Sequence, residues 1–383
     1  MKIQRIALVA GFWLSLTVIA DAQWSTFHGD NQRRGVAPVV GPVTPQIKWS
    51  FDLKGPMISS PVIGPDGTIY TGSVWSETVK PKAFITAIRP DGKVRWRFPV
   101  EFVDDQTMAT PAVAPNGTLY VGTYTGQFYA IDANGKKLWM HQAAEPVFSH
   151  ALVGPDGTVY VTLDGQLTAF TPAGVILWQY DLGENRPGGP TLDPNGTIYA
   201  TSSTGTIALN PNGTLKWSTS IPGSLAPPVV SPNGDVIVCS LYIWVLDPAN
   251  GSLKWNAQYG AGNYGAPAVD AQGNIYHVSD WDMWKYSPTG TLIWSTTFQQ
   301  GGSLGKTYSS VVLDSAGNIY LGMGTQKRGA YTFEKRVVVY NNSGVKRSHV
   351  QLPEATGISS PAIGPDGTLY IGCMDGKLYA IQD

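Results

Sequence analysis

The sequence predicts an all-β fold assembled from eight copies of one four-stranded unit, and three observations carry that reading. One pattern recurs along the 383 residues: one or two small residues, Pro, alternating apolar positions, a tight turn closed by Gly, then an apolar strand that usually bears Tyr. Gly and Pro are abundant, at 44 and 28, yet follow no collagen-like period. Beyond the leading apolar stretch, the 3.6-residue spacing of helices is scarce.

The copies begin SSPVIGPDGTIY at Ser59, TPAVAPNGTLY at Thr110, SHALVGPDGTVY at Ser149, GGPTLDPNGTIY at Gly188, APPVVSPNGDVIV at Ala226, GAPAVDAQGNIY at Gly265, SSVVLDSAGNIY at Ser309 and SSPAIGPDGTLY at Ser359. Their turn glycines, Gly67, Gly117, Gly157, Gly196, Gly234, Gly273, Gly317 and Gly367, are 38 to 50 residues apart, room for four short strands. Pro two positions before the Gly suits a type I turn, and the Gly supplies the left-handed closing residue. At Gln272 and Ala316 the preceding residue changes while the Gly stays, as expected if only that position needs positive φ.

A third strand of the form LYAI follows, as at Leu378 to Ile381, and then a fourth carrying Trp: Trp96, Trp139, Trp178, Trp217, Trp255 and Trp294. Such a unit cannot bury both faces alone, so it stacks on copies of itself, and a ring leaves no bare end. This predicts a β-propeller of eight four-stranded antiparallel blades. The eighth copy stops after its third strand, whereas residues 46–53 (QIKWSFDL) read as an orphan fourth strand with Trp49, so the N-terminal strand is expected to close the last blade. Blade seven is the odd one: residues 345–352 lack Trp, which predicts weaker packing on the next blade.

Lys2 and Arg5 before an apolar run, then Ala20-Asp21-Ala22, have the form of a secretory signal peptide over residues 1–22. The expected organisation is that leader, an N-terminal segment over 23–45 and the propeller over 46–383, in a secreted or periplasmic monomer. Net charge is −1 with no long run of either sign, which argues against nucleic acid or an anionic membrane as partner, and no membrane span is expected after signal cleavage. Cys239 and Cys373 sit in no haem-attachment motif, and two thiols alone make no zinc site.

The repeats resemble the pyrroloquinoline-quinone (PQQ-like) propeller repeat, shared by quinoprotein dehydrogenases and by cofactor-free members such as the bacterial outer-membrane assembly lipoprotein. The most specific stretch is residues 245–255 (VLDPANGSLKW), similar to that family's tryptophan-docking motif; residues 130–139 (AIDANGKKLW) repeat it one residue shorter. Residues 24–35 (WSTFHGDNQRRG) also resemble the segment preceding the ring in secreted members. The dehydrogenase branch implies adjacent cysteines over the quinone, a calcium ion, an Asp base and long insertions. Here the cysteines lie 134 residues apart and the repeats are compact, so the chain reads as nearer the cofactor-free members.

Functional residues are sought on the face where blade-joining loops and second-to-third-strand loops emerge, because function concentrates on loops held by a rigid scaffold. Insertions fall there at residues 75–82 in blade one and 325–336 in blade seven. Candidate partner-binding residues are Trp75, Tyr124, Asp280, Trp281, Asp282, Lys327, Arg328, Lys335 and Arg336. Candidate channel-mouth residues are His150, Arg186, Asn263, Lys306 and Tyr308. Trp244 and Trp284 are expected to pack between blades, and Asp104 and Asp105 to face water rather than hold a metal. The expectation is a non-enzymatic scaffold, without catalytic residues, metal or cofactor, for protein or polysaccharide. The alternative is a PQQ- and calcium-dependent sugar or alcohol dehydrogenase, or a carbohydrate-active propeller enzyme.

Overall fold

The computed structural model describes residues 24–383 apart from 58, 74–82, 102–106, 108, 184–187, 225, 259–264, 280–281, 299–306, 308 and 325–334. The described residues form eight four-stranded antiparallel sheets. Seven run in chain order from the inner strand to the rim, the first from Val62–Ile63 to Val94–Pro99. In the eighth, Gln46–Asp52 lies outside Lys377–Gln382, with Ile47 opposite Ile381 and Phe51 opposite Leu378. The ring is therefore sealed by the two ends of the chain, as the orphan strand predicts.

Inner strands are only two residues long and second strands four or five, and both are buried throughout, because each blade face lies against a neighbour. Rim strands alternate exposed and half-buried positions. The apolar core consequently lies between blades. Val62, Tyr70 and Ile85 of blade one pack with Leu119, Val121 and Ile131 of blade two, and fully burying one such side chain contributes about 1.5–3 kcal/mol.

A row of three residues crosses most blades on one face. Tyr120 pairs with Ala130, which pairs with Trp139; Tyr160, Ala169 and Trp178 repeat the row. The small central residue lets the rings approach, with centroids 5.8 Å apart for Tyr120 and Trp139 and 5.9 Å for Tyr160 and Trp178. Each indole then reaches the following blade: Trp139 Nε1 donates to Pro172 O at 2.8 Å, Trp178 Nε1 to Pro211 O at 3.0 Å and Trp255 Nε1 to Pro288 O at 2.8 Å. Trp49, Trp96, Trp217 and Trp294 make the equivalent bonds to Pro90, Ala133, Pro248 and Asn342. The indole lies against the turn glycine of that neighbour, and a Cβ on Gly213 would stand 2.5 Å from the ring of Trp178.

Blade seven differs for a topological reason. Ser348 occupies the Trp position, opposite Val339, and its hydroxyl donates to Val43 O at 2.5 Å. No turn joins the third and fourth strands of blade eight, since they come from opposite ends of the chain, so there is no turn glycine for an indole to cover. Thr44 N–H donates instead to Asp383 Oδ1 at 2.7 Å.

These contacts set an order of stability effects. Gly213 has φ near +82°, so Gly213→Ala combines backbone strain with a ring collision and is expected to cost about 2 kcal/mol or more in urea unfolding. The exposed-turn control Gly183→Ala, which meets nothing within 4 Å but also has positive φ, isolates the strain and should cost less, about 1 kcal/mol.

Candidate functional site

The inner strand of a propeller is a sheet edge whose inward N–H and C=O groups need partners. Residues 24–41 supply them by winding once around the ring axis. Ile63 N–H donates to Trp24 O, Val113 N–H to Ser25 O, Leu192 N–H to Asn31 O, Val230 N–H to Gln32 O, Val269 N–H to Arg34 O and Leu313 N–H to Gly35 O, all within 2.7–3.0 Å. Blade three is held by side chains: Thr26 Oγ1 donates to Ala151 O at 2.8 Å and Asn31 Nδ2 to Val153 O at 3.0 Å. Gly41 N–H donates to Asp314 Oδ2 at 3.0 Å, beside Ile363 of blade eight.

Arg33 pins this plug. It is fully buried, and its guanidinium donates to Pro190 O, Thr26 Oγ1, Phe27 O, His150 O and Ala151 O, which uses every N–H it has. Burial pushes its pKa down to about 9, so it is still a cation at neutral pH. His28 sets both ring nitrogens against carbonyls, Arg33 O at 2.7 Å and Val311 O at 2.6 Å; burial lowers its pKa while the two carbonyls oppose that shift. Gly35 lies against the same ring, where a Cβ would stand 2.4 Å from His28 Cε1.

The plug touches the second residue of each inner strand, next to the hairpin turns, so it closes the turn end of the channel. Toward the other face lies a second layer, built from the residue two before each inner strand. Ala266 N–H donates to Ser310 Oγ, Ser310 N–H to Ser360 Oγ, Ser360 N–H to Ser60 Oγ, Ser60 N–H to Thr110 Oγ1 and Thr110 N–H to His150 Nδ1, at 2.9–3.2 Å. The small residues before Pro in the repeat thus clasp one blade to the next. The clasp does not pass through Gly189, where a Cβ would stand 2.6 Å from His150 O, or through Pro227, which has neither N–H nor hydroxyl.

His150 therefore belongs to the channel, but as a buried link rather than an open mouth. Its ring stacks on Phe27 with centroids 4.2 Å apart, and Nδ1 accepts a proton-bearing N–H, which leaves the ring neutral with its proton on Nε2. Burial, aided by Arg33, pushes its pKa down to about 3. Arg186, Asn263, Lys306 and Tyr308 lie outside the described residues, as do Trp75, Asp280, Trp281, Lys327, Arg328, Asp104 and Asp105.

The described partner candidates all lie at connections between second and third strands, in different blades. Tyr124 in blade two is exposed and meets Phe148 edge-on at 5.9 Å. Asp282 opens a strand of blade six and accepts from Thr297 Oγ1 at 2.6 Å. In blade seven, Lys335 pairs with Glu354 at 2.6 Å, and Arg336 begins Arg336–Tyr340 opposite Gln351. Trp284 is half-buried against the apolar cluster that joins blades five and six, and Trp244 against the one that joins blades four and five.

Among the described residues no group of three His, Cys, Asp or Glu is arranged to hold a metal ion. Cys239 and Cys373 are free, buried thiols in blades five and eight, with burial raising the pKa of both. A tricarboxylate quinone calls for cationic groups at the channel mouth. Of the described arginines in the plug, Arg33 spends all its donors on the plug and its neighbours, and Arg34 pairs with Asp30 at 2.6 Å.

Sealed ring, repeated Trp strands and blade-to-blade clasps define an eight-bladed propeller of PQQ-like repeats. A family model described as outer membrane protein assembly factor BamB matches residues 81–224 and 203–383, and the chain belongs to that family. Among solved structures, the quinohemoprotein alcohol dehydrogenase from Comamonas testosteroni is similar at TM-score 0.72 and 15% identity, over 94% of this chain and 80% of that one. BamB from Moraxella catarrhalis is similar at 0.68 and 16%, over 89% and 100%. A europium-containing methanol dehydrogenase is similar at 0.72 and 13%, over 94% and 98%. These likenesses speak to the fold. No curated protein sequence matches the chain. Among the described residues no helix is long and apolar enough to cross a membrane.

Two outcomes follow from the plug. Arg33→Met strands several buried carbonyls and is expected to lower unfolding free energy by about 3 kcal/mol or more. His150 has a folded pKa near 3 against an ordinary 6.5, so its neutral-form contribution is complete above about pH 6.5 and is lost as pH falls toward 3. In urea titrations across that window, His150→Gln, which can still accept from Thr110 without titrating, should show a shallower loss of stability than the parent.

Proposed function

We propose that this chain is an exported, monomeric binding scaffold without a resident cofactor, which engages a protein or polysaccharide on the loop-bearing face. The observation that carries the reading is the plug. Residues 24–41 fill the axis and commit Arg33, His28 and His150 to holding backbone, which leaves the connections between blades and between second and third strands, on the loop-bearing face, as the surface for a partner. The leader-like residues 1–22 support export, and membership of a family of outer membrane protein assembly factors fits an exported protein. The seven indole contacts are read as tryptophan-docking repeats whose part is to keep that platform rigid.

The insertions at residues 75–82 and 325–336 flank blade eight and are the proposed contact rim, with Trp75, Lys327, Arg328, Lys335 and Arg336 as its side chains. Tyr124, Asp280, Trp281 and Asp282 extend the contact surface to blades two and six.

The rival reading is a quinone-dependent dehydrogenase. Incubation with pyrroloquinoline quinone, calcium and a redox dye is expected to give no dye reduction with a panel of sugars and alcohols. Reduction above the protein-free rate with any of them would overturn the scaffold reading. Deleting residues 325–334 should abolish capture of the partner from the producing organism while leaving the melting temperature within about 2 °C.

A further inference from the structure

We propose that the cleft between blades three and four, on the loop-bearing face, binds one neutral sugar unit. The proposal rests on the scaffold reading and assigns that face a ligand class.

The cleft has a volume of about 200 Å³ and is lined by Tyr180, Asp181 and Leu182 from the end of one rim strand, by Ala200, Ser202, Thr204, Gly205 and Ile207, and by Ser218 and Thr219. Its origin is visible by comparison with the other blades. The residue after the second-strand Tyr, or its equivalent, is Thr71, Val121, Val161, Val238, His277, Leu321 and Ile371 in the other seven blades, but Ala200 in blade four. That truncation leaves room beside Tyr180, which stands two residues beyond Trp178 and faces blade four. The connection from Ser202 to Gly205 is short, and Gly205 lets it sit close, since a Cβ there would stand 2.5 Å from Thr219 O.

The lining selects the ligand by elimination. Among the described residues the cleft's lining contains no Lys, Arg or His, and Asp181 adds negative charge that disfavours a phosphate, nucleotide or uronic acid. One carboxylate, with Oδ1 already accepting from Gly183 N–H at 2.8 Å, falls short of the oxygen cage that a divalent cation needs. The hydroxyls of Ser202, Thr204, Ser218 and Thr219 are too many for a lipid chain. The apolar part of the lining comes from Leu182, Ile207 and the half-buried ring of Tyr180, above the fully buried Ala200. A small, uncharged molecule with an apolar face and a rim of hydroxyls matches both halves, and that is a pyranose ring. The size is below the roughly 300–1,000 Å³ of pockets that enclose larger ligands, which limits the site to a single unit, free or within a chain that crosses the rim.

The test is a titration of the full chain with cellobiose, maltose, laminaribiose and chitobiose, read by saturation-transfer NMR and calorimetry, with galacturonic acid and glucose 6-phosphate as charged controls. At least one neutral disaccharide is expected to bind with a Kd of about 1 mM or tighter, and the charged sugars about tenfold more weakly. Tyr180→Ala should weaken binding about tenfold. Ala200→Ile fills the cleft with a side chain that blade eight already carries at this position, so the fold should tolerate it, and binding should again fall about tenfold. The proposal is overturned if no neutral disaccharide saturates by about 20 mM, if the charged sugars bind equally well, or if a folded Ala200→Ile variant keeps full affinity. Dye reduction in the quinone assay would sink the scaffold reading alone, whereas loss of sugar binding with partner capture intact would sink this proposal alone.

Discussion

Every propeller carries a hidden sheet edge, the inward side of its innermost strands, and in this molecule the chain covers that edge with itself. Backbone N–H groups from six blades end on carbonyls of residues 24–35, and two side-chain bonds secure the remaining blade among the first seven. An inner strand of two residues makes few contacts of its own, so fixing its inner edge fixes where each blade sits about the axis. Arg33 is the centre of this arrangement. A fully buried cation with no carboxylate bonded to it is tolerable because five oxygens take its five N–H groups, and the same bonds tie the plug to blades three and four.

Two further belts act at larger radii. Near the axis, hydroxyls and one imidazole accept a backbone N–H from the neighbouring blade; at the rim, indoles donate their own N–H to a turn carbonyl of the next blade. Both belts have gaps, and each gap has a local cause. The inner belt stops between His150 and Ala266, where Gly189 has no room for a side chain against the neighbouring backbone and Pro227 has neither N–H nor hydroxyl. The outer belt breaks at Ser348 because the blade it would reach has no turn at that corner, and Val43 O takes the hydroxyl instead. The seam where the two chain ends meet is thus closed by main-chain pairing over the length of Gln46–Asp52 and by Asp383 on Thr44.

The plug also bears on chemistry. It places His28, His150 and Arg33 in a dry interior where each is committed to holding backbone. Groups so engaged are poorly suited to proton transfer or ligand capture, which moves attention to the outer part of the loop-bearing face. There the repeats differ from one another, and a difference such as Ala200 in place of a larger residue opens space that the repeat itself would have filled.

Blade count, strand order, the closing strand near Trp49 and the turn glycines were all legible in the residues, because each is a short-range rule repeated eight times: a positive-φ glycine, a two-residue alternation, a ring residue at a fixed offset. The segment WSTFHGDNQRRG was recognisable as a prelude to the ring, but its path through the axis was not, since it pairs one residue at a time with strands up to 280 positions away and has no period of its own. His150 was placed at the channel but not as a link in a buried relay, and the cleft beside Tyr180 left no mark beyond a single alanine. The sequence alone determined the repeat, its number and how the circle closes, since those follow from local geometry and from burying both faces of every sheet. Only the tertiary structure decided what fills the axis, which polar groups are consumed in holding it and where a gap remains, because those depend on which distant residues are brought to the same radius.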